Sequence, residues 1–308
     1  MLDDGVCIPP RKARGGPGGV WGLLLGSGNP SSSAQSLATA ETGAHASSRT
    51  VTKLLVVIEE NASLSQMQAG MPYAYSLAQR FGYATNYHAI THPSLPNYLA
   101  IVSGQTHGVA DDAAPSVHRL GGRTVFGQAL AHGKRAAVYA DGMRSACSLK
   151  SSGSPPYAVG HNPWPYFVGE RRACRGHDLP AGRLWSAIRS GRLPNAGLVV
   201  PDKCHDAHDC GLSSADAWFR QLMARVFQGR DWRSGRLAVV LTADENDGSP
   251  GNGVLTVVIH PSQRHHVVTA PLNHYSLTKL YAQVTHTAYL GHARTAPSLA
   301  RAFGLPLR

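Results

Sequence analysis

The chain lacks any run of the roughly 18 consecutive apolar residues that a membrane-spanning helix needs, so no transmembrane segment is expected. Charge is scarce as well: Asp, Glu, Lys and Arg make up 15% of the 308 residues, against 43% hydrophobic. A chain that long and that poor in charge can bury a full core, as one large domain, which excludes a solvated, unfolded polymer as a description of the whole. Acids are the rarer sign, 18 against 29 Lys and Arg, and the net charge is +11. Such a balance points to nucleic acid, an anionic surface or an acidic substrate. The basic residues are scattered, however (Arg119, Arg123, Lys134, Arg135, Arg171, Arg172, Arg175), with no tight run and no regular aromatic interleaving. That favours anionic substrates over a dedicated nucleic-acid site. There is no internal repeat.

Cysteines are few, five in all. Cys204 and Cys210 close a tight loop, and Cys147 and Cys174 bracket a Pro- and Gly-rich excursion, so they pair as two disulfides with Cys7 left over. Disulfides imply export. A cytosolic alternative is a Cys/His metal site at Cys204, His205, His208 and Cys210, whose spacing is not one of the usual zinc spacings. Residues 1 to about 50 are rich in Gly, Ser, Ala and Pro without apolar periodicity, and disorder is expected there. Within them Arg11, Lys12 and Arg14 precede Val20, Trp21 and Leu23 to Leu25, then small residues such as Ser33 and Ala34, the order of a secretion signal with an apolar part interrupted by Gly22. A secreted or cell-envelope location follows.

From residue 51 strand and helix patterns alternate. Strands are expected at 54–58, 135–140, 197–200, 237–241 and 254–259, and helices at 73–81, 124–131, 183–188, 213–227, 275–285 and 297–303. Alternation of this kind predicts an α/β fold, a mainly parallel central sheet with helices on both faces. Asp231, after the longest helix, reads as a surface acid.

Polar residues fall where these strands end. The apolar run 54–58 leads into Glu59, Glu60 and Asn61, and 237–241 leads into Thr242, Asp244, Glu245, Asn246 and Asp247. Strand 197–200 is followed by the loop His205, Asp206, Ala207, His208, Asp209, and His274 precedes a helix. Ligands of open parallel sheets bind beyond the carboxyl ends of strands. A solvated acid or a hydrogen-bonded His accounts for any one of these groups; carboxylates and imidazoles arriving together form a ligand set for zinc or a similar divalent ion. The stretch His92, Pro93, Ser94, Leu95, Pro96, Asn97, Tyr98 places a serine at the start of a short apolar helix, where unpaired backbone N–H groups favour an anion. Taken alone Ser94 would be a helix N-cap. Beside a metal it is a nucleophile, its alkoxide stabilised by the cation. A phosphoserine would form, with Asn97 and the helix-start N–H groups absorbing phosphoryl charge and His92 orienting the leaving group.

Ser94 to Tyr98 through Val102, Ser103, Gly104 and on to His107, Gly108, Val109 resembles the nucleophile segment of nucleotide pyrophosphatase/phosphodiesterases of the alkaline phosphatase superfamily. With Glu59 to Asn61, Val200, Pro201, Cys204 to Cys210, Asp244 to Gly248 and Asn273 to Ser276, the whole chain after residue 53 resembles the bacterial phosphoesterase family of metal-dependent acid phosphatases and phospholipases C. The resemblance implies an alkaline phosphatase-like domain over 51–308, with Ser94 as nucleophile. It implies Glu60 or Asn61 with Asp244 and Glu245 at one metal, Asp206, His208 and His274 at a second position, and a small-molecule or lipid phosphoester as substrate. Asp202 and His205 stand where Asn is expected, and Asp111 with Asp112 where the phosphodiesterases place an Asn on the phosphate.

Rival readings are weaker. A sulfatase would carry Arg where Tyr98 stands, and a metal-free serine hydrolase would place Ser94 in a Gly-x-Ser-x-Gly elbow that is missing. A non-catalytic secreted protein binding anions or the cell envelope is the alternative from another class, supported by the basic charge and the Gly/Pro/aromatic segment Tyr157 to Phe167. Trp164, Tyr166 and Phe167, with His161 and Asn162, would form either a lid over the site or a Pro-fixed surface loop.

Overall fold

The computed structural model describes residues 50–154 and 156–307. The expected disordered segment with its secretion signal lies outside the described residues.

Five of the main strands are buried at every residue and built on apolar runs, which explains their places. The sheet strands are β1 (Lys53–Glu59), β2 (Gly82–Ala84), β3 (Ala136–Ala140), β4 (Asp178–Pro180), β5 (Ala196–Val200), β6 (Leu237–Ala243), β7 (Thr256–Ile259) and β8 (His266–Val268). They lie in the order β8-β2-β7-β6-β1-β5-β3-β4, all pairs parallel except those of β7, which runs antiparallel to β6 and β2. β1 is central: Val56 sits opposite Leu198 of β5 and Val240 of β6, and all three are fully buried. A strand covered on both faces needs such a continuous apolar run.

The helices form two groups. α1 (Leu64–Gly70), α2 (Pro72–Arg80), α6 (Gly182–Ser190) and α7 (Leu212–Gln228) pack together, while α3 (Ser94–Ser103), α4 (Val125–Ala131) and α9 (His274–Thr285) form the other group, α9 lying against β1 and β5. α7 buries Ala215, Trp218, Phe219, Leu222, Met223 and Val226, one stripe at helical spacing. α5 (Arg171–His177) and α8 (Arg230–Arg233) are short, and α10 (Leu299–Ala302) closes the chain.

Several side chains differ from their sequence reading. Asp216 lies inside α7, and its carboxylate accepts the backbone N–H groups of Tyr73 (3.0 Å) and Ala74 (2.8 Å) at the start of α2. Asp231 is no surface acid: it is buried, paired with Lys53 at 2.5 Å and accepting the Leu193 N–H at 2.9 Å. Trp164, Tyr166 and Phe167 are neither lid nor surface loop, being fully buried, with Trp164 donating to Glu170 at 2.8 Å. The apolar mass of those rings outweighs the flanking prolines.

Both expected disulfides are present, Cys147–Cys174 and Cys204–Cys210. With their thiols bonded, Cys204 and Cys210 cannot hold a metal. Cross-links of this loop size stabilise by about 2 to 4 kcal/mol each in the chain-entropy account. Titration of unfolded, unreduced protein should find one thiol per chain at most; reduction should lower the melting temperature, and five free thiols before reduction would exclude both bridges.

Candidate active site

Parallel strands deliver their carboxyl ends to one edge, and α3 starts there. Ser94 is the first residue of α3, after Pro93, and caps nothing with its side chain. Its hydroxyl donates instead to Glu60 Oε2 at 2.9 Å. Glu60, immediately past β1, also receives the hydroxyl of Tyr98 on its other oxygen, and that oxygen lies 3.4 Å from His161 Nδ1. Tyr98 follows Ser94 by four positions, so one helical face presents both. His161 Nδ1 in turn lies 3.0 Å from Asp206 Oδ2, its ring stacked on Tyr98 at 5.5 Å between centroids. Asp206 is fixed by the His208 N–H on its other oxygen (2.8 Å), and its own carbonyl accepts the Glu60 N–H (2.7 Å).

Asp244, just past β6, completes the group. Its Oδ1 accepts the Asn61 N–H at 3.4 Å, while Oδ2 is buried without a hydrogen-bond partner. Glu60, Asp206 and Asp244 are all at most 1% exposed. Burial, then the charges of Asp244 and Asp206, push the Glu60 carboxyl well above the ordinary carboxylate range, against the hydrogen bonds of Tyr98 and Ser94. Burial, then Glu245, does the same to Asp244, against the Ser94 hydroxyl and backbone N–H groups. Such acids, gathered and orphaned, fit a cation. Glu60, His161 and Asp206 offer ligand atoms within 4.8 Å of one another.

The remaining expected residues spread around this centre. Glu245 holds His92 Nδ1 at 2.9 Å and Asn97 Nδ2 at 3.3 Å, and burial followed by Asp112 raises its carboxyl to about 7. Asn97 is engaged with the backbone: its oxygen accepts the N–H groups of Ile90 and Thr91, and its nitrogen donates to the Thr91 and Pro93 carbonyls. It therefore shapes the loop before Ser94, and none of its polar atoms is left for a phosphoryl oxygen. Asn61 is exposed and reaches the site by its backbone. His208, about one-third exposed, leans on Asp209 at 2.7 Å, with its ring 5.5 Å from that of His161. His274 is the clear correction. It is fully buried, with Nε2 on the Asp244 carbonyl at 2.5 Å and Nδ1 on the Tyr87 hydroxyl at 3.1 Å, so both ring nitrogens are spent and none is free to ligate. Burial lowers its pKa to about 4, keeping it neutral.

His161 is the residue the sequence reading misassigned. No strand of the main sheet leads into it, only the two-residue strand Pro156–Tyr157, so the rule that found the other groups could not find it. Tyr98 had a signal in its four-residue spacing from Ser94. A second group at the same edge joins Asp141, after β3, to Asp202 and His205, after β5, with His205 Nδ1 3.1 Å from each carboxylate.

This geometry belongs with the hydrolases of phosphoric esters built on the alkaline phosphatase fold. An alkaline phosphatase superfamily protein from Vibrio parahaemolyticus superposes with a TM-score of 0.56 at 11% identity, covering 81% of this chain and 71% of that one. Murine ectonucleotide pyrophosphatase/phosphodiesterase 5 gives 0.50 at 10% identity, over 82% and 99%. Residues 60–284 match the Phosphoesterase family, and the chain belongs to it. Among curated relatives, a phosphatidylinositol-3-phosphatase of Mycobacterium tuberculosis is 26% identical over 83% of this chain and 84% of its own length. A probable acid phosphatase of Kluyveromyces lactis is 26% identical over 63% of this chain, which spans about half (48%) of that protein.

Carboxyls that bind protons more tightly folded than unfolded stabilise the protein at low pH and lose that contribution as pH rises from about 4.5 through the folded values. Metal-stripped protein should therefore melt at a lower temperature near pH 7.5 than near pH 5.5, and a divalent cation should raise the melting temperature more at the higher pH. Differential scanning fluorimetry reads both; a stripped protein that grows more stable across this interval would contradict the picture. His274→Ala should cost about 2 to 4 kcal/mol of stability by leaving a cavity and two unpaired polar groups.

Proposed function

We propose that the chain is a metal-dependent phosphomonoester hydrolase working through a phosphoserine at Ser94. The observation that carries this reading is the hydrogen bond from the Ser94 hydroxyl to a buried carboxylate, at a helix start facing Asp206, His161 and Asp244. Glu60, Asp244, Asp206 and His161 are the residues that would hold a divalent ion such as zinc, with Glu245, Asn61 and His208 beside them. When bound, the ion supplies charge that favours the serine alkoxide and offsets the phosphoryl oxygens. Relatives named as acid phosphatases and a phosphatidylinositol phosphatase support a monoester substrate, small or lipid-borne. The disulfides support export.

The chain's own residues divide the work. Glu60 accepts the Ser94 proton and aims Oγ, with Tyr98 and His161 holding Glu60 in place. Oγ attacks phosphorus in line and the bond to the leaving oxygen breaks. His92, 43% exposed and braced by Glu245, stands two residues from the nucleophile and gives the leaving oxygen its proton. A water then attacks the phosphoserine and His92 takes its proton; the bond from phosphorus to Oγ breaks, Glu60 returns its proton to Oγ, and phosphate leaves with Ser94, Glu60 and His92 restored.

Ser94→Ala should reduce turnover of p-nitrophenyl phosphate to background with an unchanged melting temperature; more than a few per cent residual activity would remove Ser94 from the mechanism. Chelation should abolish turnover and added divalent ion restore it. Full activity of metal-stripped protein would sink the metal. His161→Ala should weaken zinc binding in calorimetry, whereas His274→Ala, once allowance is made for unfolding, should not. His92→Ala should slow esters of poor leaving groups, such as alkyl phosphates, far more than p-nitrophenyl phosphate.

A further inference from the structure

Five arginines that are scattered in sequence come together on one flank of the molecule. Leu120 pairs with Phe167, and the Val168 N–H donates to the Leu120 carbonyl at 3.0 Å, so the segment carrying Arg119 and Arg123 lies against the segment that leads into α5 with Arg171, Arg172 and Arg175. Arg171 Nε is buried with no hydrogen-bond partner. Burial, then the like charges of Arg119 and Arg175, lower the Arg171 pKa, which places the three guanidinium groups in each other's field. Arg123 and Arg172 line a cleft of about 630 Å³ together with glycines and His177. Among the described residues no arginine pairs with a carboxylate. The acids nearby are spent elsewhere: Glu170 on Thr124 and Trp164, Asp111 on His118, Asp112 on the Leu95 N–H.

Apolar side chains stand exposed in the same segments. Val117, 65% exposed, lies two residues before Arg119, and Val168, 37% exposed, three before Arg171. Unpaired arginines interspersed with exposed aliphatic side chains suit an interface where anionic headgroups meet acyl chains. Single-stranded nucleic acid would want exposed aromatic faces, and the rings of this region, Trp164, Tyr166 and Phe167, are fully buried.

We propose that the surface formed by Arg119, Arg123, Arg171, Arg172 and Arg175 with Val117 and Val168 docks the protein on an anionic phospholipid surface. The patch is held rigid, α5 being tied by Cys174 to Cys147. It also adjoins the active centre, since the segment bearing Val117 and Arg119 begins at Asp112, whose carboxylate accepts the Leu95 N–H one residue from Ser94 at 2.8 Å. A docked molecule would meet phosphoesters at the bilayer surface. The docking itself stands independently of any reaction at Ser94.

The test is sedimentation of the full chain with vesicles of phosphatidylcholine, with and without phosphatidylserine. Retention should need phosphatidylserine and fall with salt. Arg119→Gln/Arg171→Gln/Arg175→Gln should weaken it roughly a hundredfold, three charges at the surface, with hydrolysis of soluble p-nitrophenyl phosphate unchanged. Val117→Ser should weaken it further without altering the charge, and a separate pair, Arg123→Gln/Arg172→Gln, covers the case in which the triple variant fails to fold. Equal retention on neutral vesicles, no retention on either, or retention unaffected by both sets of arginine variants would overturn the proposal. Displacement by inorganic phosphate where chloride at equal ionic strength has no effect would give the arginines to a free anion. Tighter binding to a single-stranded oligonucleotide, indifferent to Val117→Ser, would give them to nucleic acid; either result also overturns it.

Discussion

Three carboxylates, Glu60, Asp206 and Asp244, are sealed into one buried place with too few donors to satisfy them, and this constraint organises the structure. Negative charges brought out of water repel one another and lose hydration; without a counter-charge they bind protons instead. Tyr98, Ser94 and His161 each give Glu60 or Asp206 a partner, and backbone N–H groups of Asn61 and His208 add two more. Yet Asp244 Oδ2 is left with nothing. A single cation would discharge the whole cluster at once.

Parallel topology makes that collection cheap. β1, β5 and β6 are neighbours whose carboxyl ends coincide, so Glu60, Asp206 and Asp244 need only short excursions to meet. The framework behind them is built from groups that the sequence alone presents as functional. His274 braces the Asp244 carbonyl, and Asn97 ties the loop that delivers Ser94.

The five long strands and the longer helices were readable because each of those strands is built on an apolar run and α7 on a helical stripe, whereas the three-residue strands β2, β4 and β8 are too short to register. The strand β1 and its exit into Glu60 could be placed to within a residue or two. What escaped was whatever depended on long-range contact. His161 sits on a short helical turn that no strand of the main sheet leads into, and only folding brings it 3.0 Å from Asp206. Asp231 looked solvated because its partner, Lys53, is 178 positions away. α1 was legible in principle, since Ser63 and Gln66 form a capping box, but its face is too short for periodicity to register. The arginines are a similar case: separated in the chain, they are joined only by the pairing of Leu120 with Phe167.

Hydrogen-bond satisfaction separates acids that build the fold from acids that wait for something. Asp216 has two backbone N–H groups, Asp231 has Lys53 and the Leu193 N–H, Glu170 has Thr124 and Trp164, and Asp178 has Asn162. Each is buried and each is matched by donors of this chain. Asp244, equally buried, is not matched, and Glu59, beside Glu60, has both oxygens without a partner, its carboxyl pushed well up by burial and then by Asp206 and Asp216. An unmatched buried carboxylate costs stability in the bare protein, so a chain that retains it at the strand edge, beside a helix-start serine, holds that stability loss at the one place where an added positive charge would repay it.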